Sequence, residues 1–384
     1  MRRYLPNIIG VYHNYSDNNG ITELQLASAA EYVRFDYKNY FSKNIDQFLL
    51  SARAVNIAFY HILFPCNSSW LDNFQKVYSY VGHSFIFCSD LCDCTVEQIK
   101  QLDLPNVVIF IPGIISNYKF THAKIVLWPK WFLDVSGFYH NDFPEMLDRK
   151  LLPNNFHKPK YFDILLGKGR PEKFFIYDKI ESAGLLESNL VIFISTWGND
   201  VTKHDPYTFS DPNLSYIGGD ENSGRAGLVS YYGKIKHLST VIPIEIYNQT
   251  YYTLVTETNY ANEYTFYTEK IIKPMLAGRL FVVLAGQYYL KNLRDMGFMT
   301  FDGIIDESYD NEPDLEKRFI MALQQVEYLC KQTPQKIYQQ AETIINHNKS
   351  LANTNWQKQF DYSLATEIKE FLVSVGIKVG WQDS

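Results

Sequence analysis

The sequence predicts an α/β protein made of two successive domains, each built on a parallel sheet, and three observations carry that expectation. Short, continuous apolar runs alternate with amphipathic stretches along most of the chain, the pattern of strands buried on both faces and crossed over by helices. The alternation restarts after a polar stretch punctuated by Pro144, Pro153 and Pro159, which marks a linker near residue 155. A length of 384 residues is enough for two separate cores.

In the first half, residues 7–12 read as a strand that runs into the polar loop 13–20 and then an amphipathic helix from about Thr22. Residues 56–60 and 84–88 are further apolar strand candidates. Residues 106–113, ending in Pro112-Gly113, form the clearest strand and turn. Residues 124–129 add a last strand before the linker.

The second half repeats the rhythm. Residues 161–166 read as a strand that ends in Gly167-Lys168-Gly169-Arg170-Pro171, followed by a helix over 172–182 stopping near Gly184, and a strand over 190–194. Residues 196–239 are rich in Gly, Asp, Asn and Pro and read as long loops with short helices. Apolar segments at 241–245 and 253–257 follow, then a capped helix and a buried strand over 268–284, and a short strand near 303–305. Two helices, over about 315–333 and 356–375, close the chain.

Composition narrows the function classes. Hydrophobic residues make up 46% and charged residues 20%, an ordinary globular balance. No uninterrupted apolar run approaches the ~20 residues of a membrane helix, and Met1-Arg2-Arg3-Tyr4-Leu5-Pro6 lacks the apolar centre of a secretory leader, so a cytoplasmic protein without a transmembrane segment is expected. A net charge of −6 offers no chain-wide basic field to a nucleic acid. The 29 Tyr and 26 Phe belong mainly to cores, with some available to stack on bases or sugars. Cys88, Cys92 and Cys94 cluster, but no fourth ligand stands at zinc spacing, and reduced thiols are the better reading.

The densest chemistry lies around Thr268-Glu269-Lys270. Thr268 is a hydroxyl cap with an acid after it, Ile271, Ile272, Met275 and Leu276 give one apolar face, and Gly278 closes the helix before the strand Leu280 to Leu284. A lysine at a helix start favours a phosphate, and a carboxylate beside it can accept sugar hydroxyls. A capped surface helix with two solvated charges is the bland alternative. A second candidate is the loop Gly167-Lys168-Gly169-Arg170-Pro171. Its glycines let the backbone approach a ligand and its cations suit a diphosphate, at the strand-to-helix edge where α/β sheets bind ligands.

Tyr267-Thr268-Glu269-Lys270, the helix, Ala277-Gly278 and the strand Phe281-Val282-Val283 resemble the C-terminal nucleotide-sugar motif of fucosyltransferase-like glycosyltransferases. The family pattern of Phe-Glu-Asn, a spacer and Thr-Glu-Lys is similar to Val255-Thr256-Glu257-Thr258-Asn259, a longer spacer, then Thr268-Glu269-Lys270. The resemblance covers about residues 160–310. It implies a GT-B-like architecture, two Rossmann-like domains with a cleft between them, here 1–155 for the acceptor and 156–384 for the nucleotide-sugar donor. It implies a donor site of Lys168, Arg170, Glu257, Asn259, Tyr267, Thr268, Glu269 and Lys270, with Arg170 at the position of a phosphate-binding arginine.

Transfer from a nucleoside-diphosphate sugar needs the leaving diphosphate neutralised, the sugar hydroxyls fixed, and, for inversion, a base at the acceptor hydroxyl. Arg170, Lys168, Lys270 and Glu269 suit the first two. No Asp-x-Asp pair of the metal-dependent kind is present, so a metal-free reaction without a cofactor is expected. His13 and Asp17, after the first strand, are the candidates for the base, with His122, His140 and Asp134 behind them. The acceptor is expected to be a glycan or another hydroxyl compound. The competing readings are a glucosyltransferase acting on DNA bases, disfavoured by the net charge, and an inert binding or scaffold protein of the same fold.

Overall fold

Strands β1 (Ile8–His13), β2 (Ile57–Ile62), β3 (His83–Cys88), β4 (Val107–Ile111) and β6 (Lys124–Leu127) form a five-stranded sheet in the order β1-β2-β3-β4-β6, every neighbouring pair parallel. These coordinates are a computed structural model, which describes residues 8–13, 57–62, 83–88, 96–115, 118–168, 170–195, 211–217, 228–260 and 264–356, with positions 75, 78, 366 and 370. The expected strands of the first half are all present. Their order differs from a doubly wound sheet, which reverses at an inner strand. Among the described strands of this sheet the order is sequential and no reversal occurs. Helix α1 (Val96–Lys100) precedes β4, and the short strand β5 (Gly113–Ile115) follows it. Asp103 anchors the loop before β6. Its carboxylate accepts from the backbone N–H groups of Thr121, His122 and Ala123 at 2.8–3.2 Å and from the Tyr118 hydroxyl at 2.7 Å.

The other half contains, in chain order, α2 (Lys130–Asp142), α3 (Met146–Lys150), β7 (Lys160–Lys168), α4 (Pro171–Ser182), β8 (Leu190–Ser195), β9 (Leu214–Ile217), β10 (Leu228–Tyr231), β11 (Lys234–His237), α5 (Ile244–Gln249), β12 (Thr250–Thr256), β13 (Tyr264–Phe266), α6 (Glu269–Leu276), β14 (Phe281–Leu284), α7 (Tyr289–Asp295), α8 (Leu315–Cys330) and α9 (Pro334–Ala352). Its main sheet is four-stranded and parallel, in the order β14-β12-β7-β8. From β7 the chain moves outward to β8, then returns past β7 to β12 and β14. That reversal makes a topological switch point between β7 and β12, the place where open α/β sheets leave a crevice at their carboxyl edge. Every residue of β12 and of β14 is buried, as the apolar runs predict.

The chain divides into two compact units, Met1–Pro129 with Trp356–Ser384, and Lys130–Asn355. The division falls ahead of the boundary expected near residue 155, because α2 belongs to the second unit. It packs against α6, Ser136 Oγ donates to the Ala352 carbonyl at 2.8 Å, and His140 Nδ1 lies 2.6 Å from the Asn353 carbonyl. The proline-punctuated stretch is likewise tied into this unit, where Asn154 Nδ2 donates to the Gly278 carbonyl at 3.1 Å.

Several other expectations change. Within 196–239 the described residues form a three-stranded antiparallel sheet, β11-β10-β9, rather than loops with short helices alone. The β10–β11 hairpin turns through Tyr232 and Gly233, both at positive φ (48° and 76°), as a two-residue hairpin turn demands. The apolar segment over 241–245 leads into α5 and forms its first residues. Near 303–305 only an isolated bridge between Asp302 and Ile305 forms. Helix α9 was not expected, and most of the helix expected over 356–375 lies outside the described residues, as does the segment from Asp17 through Thr22. Among the described residues no helix is long and apolar enough to cross a membrane.

Candidate functional site

The carboxyl end of β7 is irregular and leaves room at its backbone. Gly167 takes φ +64°, a left-handed conformation that only glycine adopts without cost, and the β7–β8 register is irregular there. Arg170 then caps α4 from an extended conformation (φ −132°, ψ 157°), and Pro171 occupies the first helical position, where its missing N–H costs nothing. The Arg170 carbonyl receives the N–H groups of Lys173 and Phe174, at 2.9 and 3.0 Å, while its side chain makes no capping bond. Arg170, a half-buried residue, therefore stands at the positive end of a helix, at the edge of the switch point.

Across the switch point, β12 ends at a buried carboxylate. Glu257 is 0% exposed and accepts from Thr268 Oγ1 at 2.6 Å, Tyr289 OH at 2.7 Å and, at the longer distances of 3.3 and 3.4 Å, the N–H groups of Thr258 and Thr268. Burial raises its carboxyl above the ordinary range, opposed by Lys270 and by the Thr268 and Tyr289 hydrogen bonds. Lys173, buried in the first turn of α4, reaches over to donate to the carbonyls of Thr256 and Glu257 at 2.7 and 3.1 Å. Its ammonium lies 5.2 Å from the centre of the Tyr260 ring. The two sides of the switch point are thus pinned together by one lysine.

Helix α6 begins at the same edge. Thr268 accepts from the Lys270 N–H at 3.2 Å as its N-cap, and the same hydroxyl donates to Glu257. Lys270 Nζ donates to Thr258 Oγ1 at 2.9 Å and to Glu269 Oε1 at 2.7 Å. Burial pushes Glu269 upward, yet the Lys270 and Lys273 ammonium groups and the Lys270 hydrogen bond hold its carboxyl below the usual carboxylate range. Glu269 is therefore an ionised acceptor on the rim. Burial lowers Lys273 to about 8, with Glu269 pulling up and Lys270 pushing down. Burial also holds Lys173 well below the ordinary lysine range, reinforced by the charges of Lys270 and Arg170 against the pull of Glu257 and Glu172.

The structure therefore brings Arg170, Glu269 and Lys270 to one edge of one sheet, while Thr268, 1% exposed and with its hydroxyl taken up by Glu257 and the Lys270 N–H, lies beneath it rather than among the donor contacts the resemblance implied. Lys168 ends β7 beside them. Glu257, Asn259 and Tyr267 lie beneath that edge rather than on it, a change from the donor contacts the resemblance implied. Glu257 is consumed by its protein partners, Asn259 Nδ2 donates to Tyr264 OH at 2.6 Å, and Tyr267 is 0% exposed with its ring 5.0 Å from that of Tyr289. They position the rim. Sequence reasoning missed Lys173 and Lys273. The available signal was their spacing, each three residues after a rim cation, Arg170 and Lys270.

The base candidates separate. His13 is the last residue of β1, at the carboxyl edge of the first unit's sheet, in register with His61 of β2; Asp17 lies outside the described residues. His122 sits in the loop that Asp103 anchors, His140 contacts the Asn353 carbonyl, and Asp134 pairs with Lys130 at 2.5 Å. Among the described residues no cluster of His, Cys, Asp and Glu could hold a metal ion. Compared with known proteins, the chain matches no family model and no curated sequence.

Proposed function

We propose that the chain is a GT-B-type glycosyltransferase that takes a sugar from a nucleoside-diphosphate donor to a hydroxyl acceptor. The observation that carries this reading is the convergence of two helix starts at the switch point of the second unit. α4 brings Arg170 and α6 brings Lys270 and Glu269 to the carboxyl edge where β7 and β12 diverge. Arg170 and Lys270 neutralise the diphosphate, whose charge grows as the sugar–oxygen bond breaks, and the helix ends add their dipoles. Glu269, ionised, accepts hydroxyls of the ribose or the sugar. Thr268, Glu257 and Lys173 hold these groups in register without meeting the ligand. The first unit takes the acceptor in this reading, with His13 as the base on the evidence of its place at a strand end. The glycan or other acceptor, the two-domain GT-B arrangement and a metal-free reaction are part of the same proposal.

Calorimetric titration tests it. GDP, UDP, ADP and CMP are titrated into the wild type, Arg170→Ala, Lys270→Ala and the double variant. Each single substitution is expected to weaken the preferred nucleotide by roughly 1.5–3 kcal/mol, the range for hydrogen bonds to charged groups. The double variant should fall short of the sum, since both cations meet one ligand. Unchanged affinity in either single variant would reduce the motif to a capped helix.

A further inference from the structure

Adjacent parallel strands need a crossover, ordinarily a helix that lies over one face of the sheet. In the first unit β4 and β6 are such a pair, in register from Val108 and Lys124 to Ile111 and Leu127. The described residues of their crossover form only the short strand β5 and a loop. Ala123, just before β6, and Ile125 and Leu127 within it alternate onto one face of the sheet, with Ile111 beside Leu127. Opposite them stand Ile114 and Ile115 of β5 and the rings of Tyr118 and Phe120, which meet edge to face at 4.7 Å between centres. A loop fills less space than a helix, and a cavity of about 390 Å³ is left between strands and crossover. That volume lies within the range of small-molecule sites, ~300–1,000 Å³.

The polar groups of the crossover are already engaged. Asp103 accepts from the Tyr118 hydroxyl at 2.7 Å, from the Thr121 N–H and hydroxyl, and from the N–H groups of His122 and Ala123. One carboxylate thus fixes the loop and leaves a wall of hydrocarbon, in which Ile114, Ile115, Phe120, Ile125 and Leu127 are each only half-buried. Lys119 is the exception. It belongs to the same wall, is exposed, and makes no ion pair among the described residues. Lys100, whose ammonium lies 5.1 Å from the centre of the Tyr118 ring, is paired with Glu97 at 2.5 Å. We propose that this cavity binds a small amphipathic anion, its apolar chain or ring among the isoleucines and its phosphate or carboxylate against Lys119. An apolar body covers the half-buried hydrocarbon, and an anionic end complements the one cation of the wall. The site lies within the first unit and does not rest on the donor reading.

Titration calorimetry on the full chain tests it, with octyl phosphate below the concentration at which it forms micelles and with butyl phosphate and octanol beside it. Octyl phosphate is expected to bind the wild type more tightly than either, since only it carries both the chain and the charge. Ile125→Trp, which fills the cavity, should abolish that binding. Lys119→Glu, an exposed change, should weaken octyl phosphate roughly fivefold, the upper end for an exposed ion pair, and leave octanol unchanged. Neither variant should alter the affinity for nucleoside diphosphates, so this inference and the donor reading fail separately. No binding of octyl phosphate by the wild type overturns the proposal, as does wild-type affinity in either variant. If Ile125→Trp does not keep the wild-type melting transition, the chain length decides, because octyl phosphate binding no tighter than butyl phosphate overturns the cavity as the site. Retention on anionic vesicles without binding of octyl phosphate would assign Lys119 to a lipid surface and overturn the proposal as well.

Discussion

At Arg279 a single guanidinium ties together the amino-terminal ends of β7, β12 and β14, opposite the edge that carries the candidate site. It donates to Asp163 Oδ1 at 2.7 Å, to Thr250 Oγ1, the Thr250 carbonyl and the Tyr252 carbonyl at 2.8 Å, to Thr253 Oγ1 at 2.9 Å and to the Tyr247 carbonyl at 3.0 Å. Its carbon centre lies 4.2 Å from the centre of the Tyr247 ring. The geometry uses what distinguishes arginine from lysine, a planar fork of donors that also stacks. Nothing in the local spacing marks this residue, which reads as a charge between a helix and a strand; its partners lie up to 116 positions away. Arg279→Met is expected to cost about 3–5 kcal/mol, because it strands the Asp163 carboxylate, 0% exposed, without its counter-charge. Adding Asp163→Asn to Arg279→Met should recover part of that loss, giving a double variant milder than the sum of the singles. Urea unfolding at neutral pH measures it, and strict additivity would show that the pair is not coupled.

Among the elements, α6 was the most legible, because each of its signals is a separate local rule. Thr268 caps it, Pro274 cannot donate to the carbonyl of Lys270 and so keeps it short, and Gly278 ends it at φ +63°. The Arg279 N–H bonds the Pro274 carbonyl and the Gly278 N–H bonds the Met275 carbonyl, the double bond pattern of a glycine-terminated helix. Helix α9 was missed because its surface is polar apart from one stripe, Ile337, Tyr338, Ala341, Ile345 and Ala352; Pro334 at its start was the usable signal. The hairpin of β10 and β11 was missed because its strands span four residues each and Tyr232 stands where Asn or Asp usually announces such a turn. A Cβ at Gly278 would meet Ile345 and Lys349 at 3.5 and 3.7 Å, ordinary contacts, so the cost of Gly278→Ala is in the backbone alone. It should be about 1–2 kcal/mol, with Gly278→Asn milder because asparagine tolerates the left-handed region. Thermal unfolding of both variants ranks them, and equal melting of Ala and wild type would contradict the cap.

Across the whole molecule, the parallel α/β character was readable from alternation alone, whereas strand order and the unit boundary were not. Both depend on which distant segments pair, as when Ser136 meets the Ala352 carbonyl 216 positions on. The net charge of −6 likewise conceals the local excess of cations at the switch point, which appears only when β7 and β12 lie side by side. In the proposed reading the donor site lies within one unit. Arg170, Lys173, Glu257, Glu269 and Lys270 all fall within Lys130–Asn355, and the first and last helices of that unit are hydrogen-bonded to each other's neighbourhood through Ser136 and His140. Residues 130–355 produced alone should therefore fold and bind the preferred nucleoside diphosphate within about tenfold of the full chain, a difference of roughly 1.4 kcal/mol. Since the cations of α4 and α6 meet the diphosphate directly in this reading, the affinity should survive EDTA. A thermal-shift measurement makes both comparisons at once, because ligand at 100 times its dissociation constant adds about 2.7 kcal/mol to stability. Affinity restored only by magnesium or manganese would put a metal between the cations and the ligand. Binding by the full chain with none by residues 130–355 would show that the first unit supplies part of the donor site.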